Sequence, residues 1–474
     1  MSLSVEDLRV SAGGTELLQP VSFAVAPGEP LTILGETGAG KSLLAQAIMG
    51  ALPRGLRSEG AVTLDGARID TLPRRRREAL WGRRIALLPQ EPWRALDPLM
   101  ASARQVAETH VAVLGRSRAE GRAKARDALA ALGLGSAAMA ALPGTLSGGM
   151  AQRVAFAAAT AAGAGTLLAD EPTKGLDAAR RDDVVRLLRG VVAGGGVLIT
   201  ITHDAGVARA LGGRAMILRA GAVVEAGPTD RVLRAPRSAY GRALVAADPE
   251  TWPDLAPDDR GAAPVLTAER LSIARGGRPL AEGIALSLAA RGRLAVTAPS
   301  GFGKTTLLDT LAGLLPPRAG EVRRHGRAAA PFALQKLYQD PPAAVPPRAR
   351  LCETLGDVER RHGLPPGRMR ALMARLGLAP ELLARRPAEV SGGELQRLAL
   401  ARVLAFSPGV ILADEPTSRL DPVTQRAVME TLAEAAAEAG AGVLLVTHNA
   451  TIARRWAGAV LALDDFAPAR RTAA

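Results

Sequence analysis

Residues 35–42 read Gly35-Glu36-Thr37-Gly38-Ala39-Gly40-Lys41-Ser42, a glycine-rich loop that ends in a lysine and a hydroxyl residue. The short apolar run 31–34 precedes it, and a helical pattern over 43–49 follows it. In such a strand–loop–helix context, backbone N–H groups can bind phosphate oxygens. We therefore predict a phosphate-binding P-loop, in which Lys41 contacts the β- and γ-phosphates and Ser42 binds Mg²⁺, with loop contacts from Gly35, Gly38 and Gly40.

The loop is the first member of a set of motifs that occurs twice in the same order. After the loop, the first set continues with Ser147-Gly148-Gly149, Asp170-Glu171 and His203. The second set consists of Gly303-Lys304-Thr305, Ser391-Gly392-Gly393, Asp414-Glu415 and His448. Two ordered sets indicate a duplicated nucleotide-hydrolysing domain.

The second loop departs from the first at its entrance, where Ala298 stands in place of Gly35. Alanine tolerates positive φ less well than glycine, so we expect an altered loop entry. The terminal Gly-Lys-Thr is intact, and we predict nucleotide contacts from six residues, namely Ser300, Gly301, Gly303, Lys304, Thr305 and Thr306.

Each acidic pair follows an apolar run that predicts a buried strand, 166–169 in the first repeat and 410–413 in the second. A carboxylate at a strand end can hold Mg²⁺, and its neighbour can orient or deprotonate the attacking water. We predict metal binding at Asp170 and Asp414 and catalysis at Glu171 and Glu415. A histidine after the next apolar strand can position the water in each repeat, which adds His203 and His448 to the catalytic residues.

Two further motifs complete each set. Gln90 and Gln339 follow short apolar runs and are predicted to contact metal or water, together with Ser42 and Thr305. Each Ser-Gly-Gly opens a helical pattern, where a serine N-cap and free N–H groups form an anion site. The predicted contacts to nucleotide here are Ser147, Gly148, Gly149, Ser391, Gly392 and Gly393.

Composition excludes several other classes of protein. The net charge of +14 is carried almost entirely by arginine in an Ala/Gly/Arg-rich chain, so we attribute it to compositional bias and expect no nucleic-acid partner. The lone cysteine, Cys352, excludes an internal disulfide and any Cys-rich metal site. We expect neither a signal peptide nor a membrane-spanning segment.

The chain of 474 residues therefore divides into two α/β domains. We predict a first domain over 1–246, a linker over 247–264 and a second domain over 265–474. Each domain is expected to have a mainly parallel sheet core, an antiparallel β subdomain and a helical insert, about 93–160 and about 341–405. A C-terminal extension of the first domain is expected at about 230–246.

These motifs together resemble the nucleotide-binding domains of ATP-binding cassette (ABC) proteins, and the resemblance covers nearly the whole chain twice. It implies ATP and Mg²⁺ as ligands and identifies Gln90 and Gln339 as Q-loops. It also identifies 175–177 and 419–421 as D-loops. In the family, two domains close head to tail, so that each ATP lies between one P-loop and the opposite Ser-Gly-Gly signature.

A narrower resemblance concerns the segments 88–98, 339–348 and 235–244, which look like those of dipeptide, oligopeptide and nickel importers. It implies two fused ATPase subunits, peripheral on the cytoplasmic face of the inner membrane. The implied partners are integral-membrane permease subunits and, indirectly, an extracytoplasmic solute-binding protein. Two alternatives stay open: the ATPase of an ABC exporter, and a soluble ABC protein without a transport role.

Overall fold

The structure, a computed structural model, describes residues 2–90, 95–174, 176, 178–255, 257, 261–299, 301–341, 345–417 and 420–468. The chain forms two compact units, Met1–Asp248 and Pro249–Ala474. They are called the first and second domain below, and each is described by itself. No helix within the described ranges is long and apolar enough to cross a membrane.

The first domain contains ten strands among its described residues: β1 (Leu3–Ala12), β2 (Thr15–Val25), β3 (Leu31–Gly35), β4 (Leu56–Leu64), β5 (Ala67–Arg68), β6 (Ile85–Leu88), β7 (Thr166–Asp170), β8 (Val197–Thr202), β9 (Arg214–Arg219) and β10 (Ala222–Pro228). Its α-helices are α1 (Lys41–Met49), α2 (Arg74–Glu78), α3 (Ser102–Glu108), α4 (Arg118–Ala131), α5 (Ser136–Ala140), α6 (Gly148–Thr160), α7 (Ala178–Ala193), α8 (Ala205–Leu211), α9 (Thr229–Arg234) and α10 (Ala239–Ala246). A π-helical turn, Thr109–Val113, extends α3.

The second domain repeats this order with fewer elements. Its strands are β11 (Pro264–Arg275), β12 (Arg278–Ala289), β13 (Arg293–Thr297), β14 (Ala319–Arg324), β15 (Leu334–Leu337), β16 (Val410–Asp414), β17 (Gly442–Val446) and β18 (Ala459–Ala462). Its α-helices are α11 (Lys304–Ala312), α12 (Leu351–His362), α13 (Arg368–Arg375), α14 (Gly392–Ala405), α15 (Pro422–Ala439) and α16 (Ala450–Trp456). The 3₁₀ helix Leu463–Phe466 follows β18 directly.

Each domain has one antiparallel sheet and one mainly parallel sheet. The antiparallel sheets have the strand orders β2-β1-β4-β5 and β12-β11-β14. The larger sheets are ordered β10-β9-β3-β8-β7-β6 and β15-β16-β17-β13-β18, and β10 is the antiparallel strand among them. The predicted fold class, two tandem α/β domains with parallel cores, antiparallel subdomains and helical inserts, is confirmed.

The parallel register positions the motifs. In the first domain β7 pairs with β8 and β8 with β3, all in parallel, so their carboxyl ends lie at one edge of the sheet. The P-loop, the acidic pair and the histidine all begin at that edge. The pairing of β13, β16 and β17 repeats the arrangement in the second domain. Strand ends of this kind are the usual ligand-binding edge of an α/β sheet.

Apolar residues fill both faces of each parallel sheet. In the first domain, one face packs with α1 against the antiparallel sheet, and the other packs against the helical insert. The strands β7, β8, β16 and β17 are buried along their whole length, which explains why their sequences read as continuous apolar runs.

Part of the stretch predicted as a linker is ordered against the second domain. Trp252 is 2% exposed and belongs to the core of that domain. The backbone N–H of Leu255 donates to the carbonyl of Arg455 at 2.7 Å, and the Thr451 hydroxyl donates to the Glu250 carboxylate at 2.7 Å. The second domain thus begins at Pro249, before its first strand.

Candidate nucleotide-binding sites

The first P-loop connects β3 to α1 through a sharp turn that glycine makes possible. Gly38 and Gly40 have φ angles of 88° and 93°, in the left-handed region that L-residues with side chains avoid. The Lys41 side chain is 6% exposed and folds back over the loop, where its ammonium donates to the carbonyls of Gly35 and Glu36, both at 2.8 Å. These two hydrogen bonds hold the amine of Lys41 at the loop.

The second P-loop repeats this geometry between β13 and α11. Gly301 and Gly303 have φ angles of 82° and 103°, and Lys304 donates to the carbonyls of Ala298 at 3.0 Å and Pro299 at 3.4 Å. Ser300, predicted to contact nucleotide, lies outside the described residues.

The backbone at the entrance of the loops shows that positive φ was the wrong reason to expect an altered entry at Ala298. Neither Gly35 nor Ala298 has a positive φ, so the left-handed conformation is not what separates the two residues. The constraint is steric: a Cβ at Gly35 would lie 2.3 Å from the carbonyl oxygen of Leu218 on β9. In the second domain the neighbouring strand ends at Ala462, before the corresponding position, and the chain turns into a 3₁₀ helix.

The catalytic candidates of both domains share an uncommon backbone conformation. Glu171 and Glu415 follow β7 and β16 with φ angles of 47° and 44°. Non-glycine residues in this region cost free energy and occur often at functional sites. The conformation is fixed by the backbone N–H of each glutamate, which donates to Ile201 at 2.8 Å and to Val446 at 3.0 Å.

Each glutamate contacts the P-loop lysine and the histidine of its own domain. In the first domain, Oε1 of Glu171 lies 3.8 Å from Lys41 Nζ, and Oε2 lies 2.9 Å from His203 Nδ1. In the second, Glu415 lies 3.5 Å from Lys304 Nζ and 3.5 Å from His448 Nδ1. The structure thus brings together three residues of each domain, although the sequence separates the lysine from the histidine by 162 positions in the first domain and by 144 in the second.

Electrostatics keeps these glutamates ionised. Burial acts to raise the pKa of Glu171, but His203 and Lys41 outweigh it and lower that pKa below its usual value. Burial acts to lower the pKa of His203, and the carboxylate of Glu171 outweighs it and raises that pKa. For Glu415, burial is likewise outweighed by His448 and Lys304, so its pKa is also lowered. An ionised carboxylate can accept a proton from water.

The residues of the first domain fit a divalent cation. Asp170 is 8% exposed and accepts a hydrogen bond from the Ser42 hydroxyl. The two predicted ligands of one ion are therefore neighbours. Among the described residues, the Oδ1 atom of Asp170 is buried and has no hydrogen-bond partner. A buried carboxylate oxygen in that condition is costly without a cation or a donor. Burial raises the pKa of Asp170 in agreement with this.

The corresponding carboxylate of the second domain has an additional neighbour. Asp414 is 4% exposed and is hydrogen-bonded by the Thr305 hydroxyl, and burial raises its pKa. Lys336 Nζ also lies 3.6 Å from its Oδ2 atom. Sequence reasoning missed Lys336, although it is one of only five lysines in an arginine-rich chain and stands in a strand next to a predicted Q-loop.

The predicted Q-loops differ in what they contact. Gln339 follows β15 and donates through Nε2 to Glu415 at 3.0 Å. Gln90 follows β6 and is exposed. Thr306, predicted to contact nucleotide, is 2% exposed on α11. The D-loop positions 175, 177 and 419 lie outside the described residues, and Asp421 caps α15 by accepting from the N–H of Thr424 at 3.1 Å.

Both Ser-Gly-Gly motifs begin a helix of the insert. Ser147 caps α6 by accepting from the N–H of Met150, and Ser391 caps α14 by accepting from that of Glu394. Space beside the second glycine of the motif is restricted in the second domain, since a Cβ at Gly393 would lie 2.7 Å from the Thr424 side chain. Gly148, Gly149 and Gly392 lie in the first turn of these helices.

Comparison with known proteins gives consistent matches over both domains. The model of the family described as "ABC transporter" matches residues 18–174 and 281–418. The chain is 31% identical to the peptidoglycan transport ATP-binding protein YejF of Agrobacterium fabrum (strain C58 / ATCC 33970), over 97% of this chain and 90% of that protein. It is 29% identical to the glutathione import ATP-binding protein GsiA of Escherichia coli (strain K12), over 96% of this chain and 83% of that protein.

Among solved structures, RNase-L Inhibitor is similar with a TM-score of 0.64 and 22% identity, over 95% of this chain and 86% of that one. At this identity, the match shows the fold alone. The family model and the two sequence relatives go further, because the model matches a segment of each domain and the relatives cover 97% and 96% of this chain. The chain belongs to the ABC transporter family and is an ATPase with two nucleotide-binding domains.

Proposed function

We propose that the chain energises the uptake of peptide-type solutes through separate permease subunits. Hydrolysis rests on one observation: a strained glutamate contacts both the P-loop lysine and the histidine, and the arrangement occurs in both domains. Import rests on the names of the relatives, which refer to peptidoglycan transport and glutathione import.

The roles of the residues follow from their positions. The N–H groups of the P-loop and the ammonium of Lys41 bind the β- and γ-phosphates. Ser42 and Asp170, with Gln90, would hold Mg²⁺, which neutralises charge on those phosphates when bound. Glu171 accepts a proton from the attacking water, and His203 orients that carboxylate. In the second domain, the same roles belong to Thr305, Asp414, Gln339, Glu415 and His448.

We further propose that the nucleotide-loaded domains pair head to tail. Ser391 and Gly393 would then complete the site of Lys41, and Ser147 and Gly149 that of Lys304. The first turn of α6 and of α14 offers free backbone N–H groups, which favour a phosphate. Binding of ATP would close the domains, and release of products would reopen them.

A groove on the first domain suits the permease contact. It has a volume of about 310 Å³ and an apolar lining that includes Met49, Trp81, Leu87 and Ala158. Leu87 lies on β6, three residues before Gln90, so the groove is connected to a predicted nucleotide contact through one strand. We propose a peripheral position on the cytoplasmic face of the inner membrane, with a solute-binding protein as an indirect partner.

The exporter and the soluble ABC protein are the competing functions. The two relatives named above favour import, and neither name refers to nickel, so nickel transport stays a prediction without support from them. No nucleic-acid partner is proposed.

The test is reconstitution of the chain with its co-purifying membrane subunits in vesicles. We expect ATP-dependent uptake of glutathione or peptidoglycan-derived peptides, and stimulation of phosphate release by the same solutes. The Lys41→Ala/Lys304→Ala double variant serves as the control that cannot energise uptake. Solute movement in the opposite direction would establish the exporter, and failure to recover any membrane subunit would favour the soluble alternative.

A further inference from the structure

A buried lysine stands beside the predicted metal ligand of the second domain. Lys336 is on β15, and its side chain is 6% exposed. Its ammonium lies 2.6 Å from Asp309 Oδ1 and 3.6 Å from Asp414 Oδ2. Asp414 itself is 4% exposed and is among the most buried charged residues that the structure describes. The cation is therefore enclosed between two carboxylates, one of which is the predicted ligand of Mg²⁺.

The first domain has no such lysine at the corresponding position. Lys336 pairs in register with Leu412, two residues before the acidic pair of its domain. On β6 the residue that pairs with Leu168, at the same distance from its acidic pair, is Leu87. An apolar side chain thus takes the place of the ammonium in the first domain.

The partner of the lysine is also exchanged. Asp309 lies on α11, five residues after the P-loop lysine, and the residue at this position on α1 is Gln46. The two domains therefore differ by a matched pair of residues, Lys336 with Asp309 against Leu87 with Gln46. The exchange adds one positive and one negative charge, so it alters the surroundings of the metal ligand without altering the net charge of the domain.

The state of the two metal ligands differs accordingly. Asp170 has a buried oxygen without a hydrogen-bond partner among the described residues, and that oxygen is available to a cation. The ammonium of Lys336 lies 3.6 Å from Oδ2 of Asp414, whereas the lysines whose charges act on Asp170 are Lys41 and Lys174. A monovalent cation fixed at this distance satisfies part of the carboxylate's charge and repels an incoming divalent cation, and such effects are strong in a buried site.

We propose that Lys336 acts as a resident counter-ion of Asp414, so that nucleotide binding gains less from Mg²⁺ at the second P-loop than at the first. Lys336 is thus a residue that sets the metal dependence of one site. The inference rests on the assignment of Asp170 and Asp414 as metal ligands made under the proposed function.

The experiment measures nucleotide affinity at one P-loop at a time in the full chain. Lys304→Ala leaves the first P-loop, and Lys41→Ala leaves the second. The dissociation constant of a fluorescent, non-hydrolysable ATP analogue (mant-AMP-PNP) is measured with saturating Mg²⁺ and again with EDTA. We expect the gain in affinity from Mg²⁺ to be about tenfold larger for the first P-loop than for the second.

The exchanged pair supplies matched variants. Lys336→Leu with Asp309→Gln, which copies the first domain, should raise the gain at the second P-loop to that of the first. Leu87→Lys with Gln46→Asp should lower it at the first. Thermal melting of each variant without nucleotide checks that the fold is retained. The first comparison, between Lys304→Ala and Lys41→Ala, needs no substitution at these four positions.

Equal gains in affinity from Mg²⁺ at the two P-loops would overturn the inference without contradicting the assignment of the two metal ligands. A gain at neither P-loop would overturn the assignment of Asp170 and Asp414, and the inference with it. A folded Lys336→Leu/Asp309→Gln variant whose second P-loop keeps its small gain would show that Lys336 is a structural ion pair only.

Discussion

In the first domain β9 runs past the P-loop entrance as far as Arg219 and turns back into β10, whereas in the second domain β18 ends at Ala462. The longer strand places a carbonyl against Gly35, and the shorter one leaves room for the methyl group of Ala298. The motif residues predicted to bind phosphate are nearly the same in both domains, while their surroundings differ. The comparison teaches that the neighbouring strand determines whether a motif position requires glycine or can accept a side chain.

The largest expected effect tests whether the two sites are chemically equivalent. Glu171→Gln and Glu415→Gln each remove the carboxylate that we propose accepts a proton, and each keeps the side-chain volume. We expect each variant to retain ATP, to lose about 100-fold or more of the phosphate release at the altered site and to stop solute transport. Single-turnover phosphate release measures the loss of hydrolysis. Glu434→Gln, on the exposed face of α15, is the control. Full transport by the Glu171→Gln/Glu415→Gln double variant would contradict the catalytic assignment.

The second prediction concerns the start of the second domain. Trp252→Ala removes a buried indole from that domain's core, and we expect the free energy of unfolding of the domain to fall by about 3–4 kcal/mol. Chemical denaturation should show an earlier transition for the second domain alone. Pro253→Ala, at the exposed neighbour, is expected to change little. An unaltered second-domain transition in Trp252→Ala would return residues 249–255 to the role of a linker.

The third prediction tests the entrance of the loops directly. In Gly35→Ala the new methyl group meets the Leu218 carbonyl, so the strand or the loop must shift, and we expect the first domain to lose about 2 kcal/mol of stability. Ala298→Gly removes only a methyl group and should cost about 0.5–1 kcal/mol. Denaturation of the two variants side by side checks the difference. Equal losses would mean that Leu218 does not set the requirement for glycine.

Much of this arrangement could be predicted from sequence because it depends on short-range pattern. The apolar runs before Asp170 and Asp414 identify buried parallel strands, and a parallel sheet brings strand ends to one edge. The resemblance to ABC proteins then implies that the lysine, glutamate and histidine of each domain act in one site at that edge.

The rest could not be predicted, because it depends on contacts between distant segments. The tolerance of Ala298 depends on where β18 ends, some 160 residues later. The position of Lys336 next to Asp414 depends on the register of two strands, and lysine in a strand reads as a solvated residue from pattern alone. Likewise, the Pro- and Asp-rich stretch around Trp252 lacks periodicity, although one aromatic side chain attaches it to a core.

The smallest expected effect concerns the C-terminal extension, which follows the β9–β10 hairpin of the first domain. Glu225 on β10 is buried, and its carboxylate accepts from the N–H groups of Arg237 and Ser238, both at 3.0 Å, and from the Ser238 hydroxyl at 2.9 Å. Arg231 Nη1 lies 3.0 Å from the same carboxylate. Glu225→Gln keeps the volume but removes the charge that these donors share, and we expect the first domain to lose about 1.5 kcal/mol at neutral pH.

The pH dependence of this loss distinguishes the charge from the packing. Burial acts to raise the pKa of Glu225, but the backbone donors of Ser238 and Arg237 outweigh it and lower that pKa below its usual 4.5. A carboxyl whose pKa is lower in the folded than in the unfolded state stabilises the fold above its usual pKa. That stabilisation is lost as the pH falls through the folded-state value. The difference in unfolding free energy between the parent chain and Glu225→Gln should therefore be constant from pH 6 to 8 and shrink below about pH 4.5. A difference that persists unchanged in acid would assign the loss to packing of the amide, and the extension would then be held by shape and not by charge.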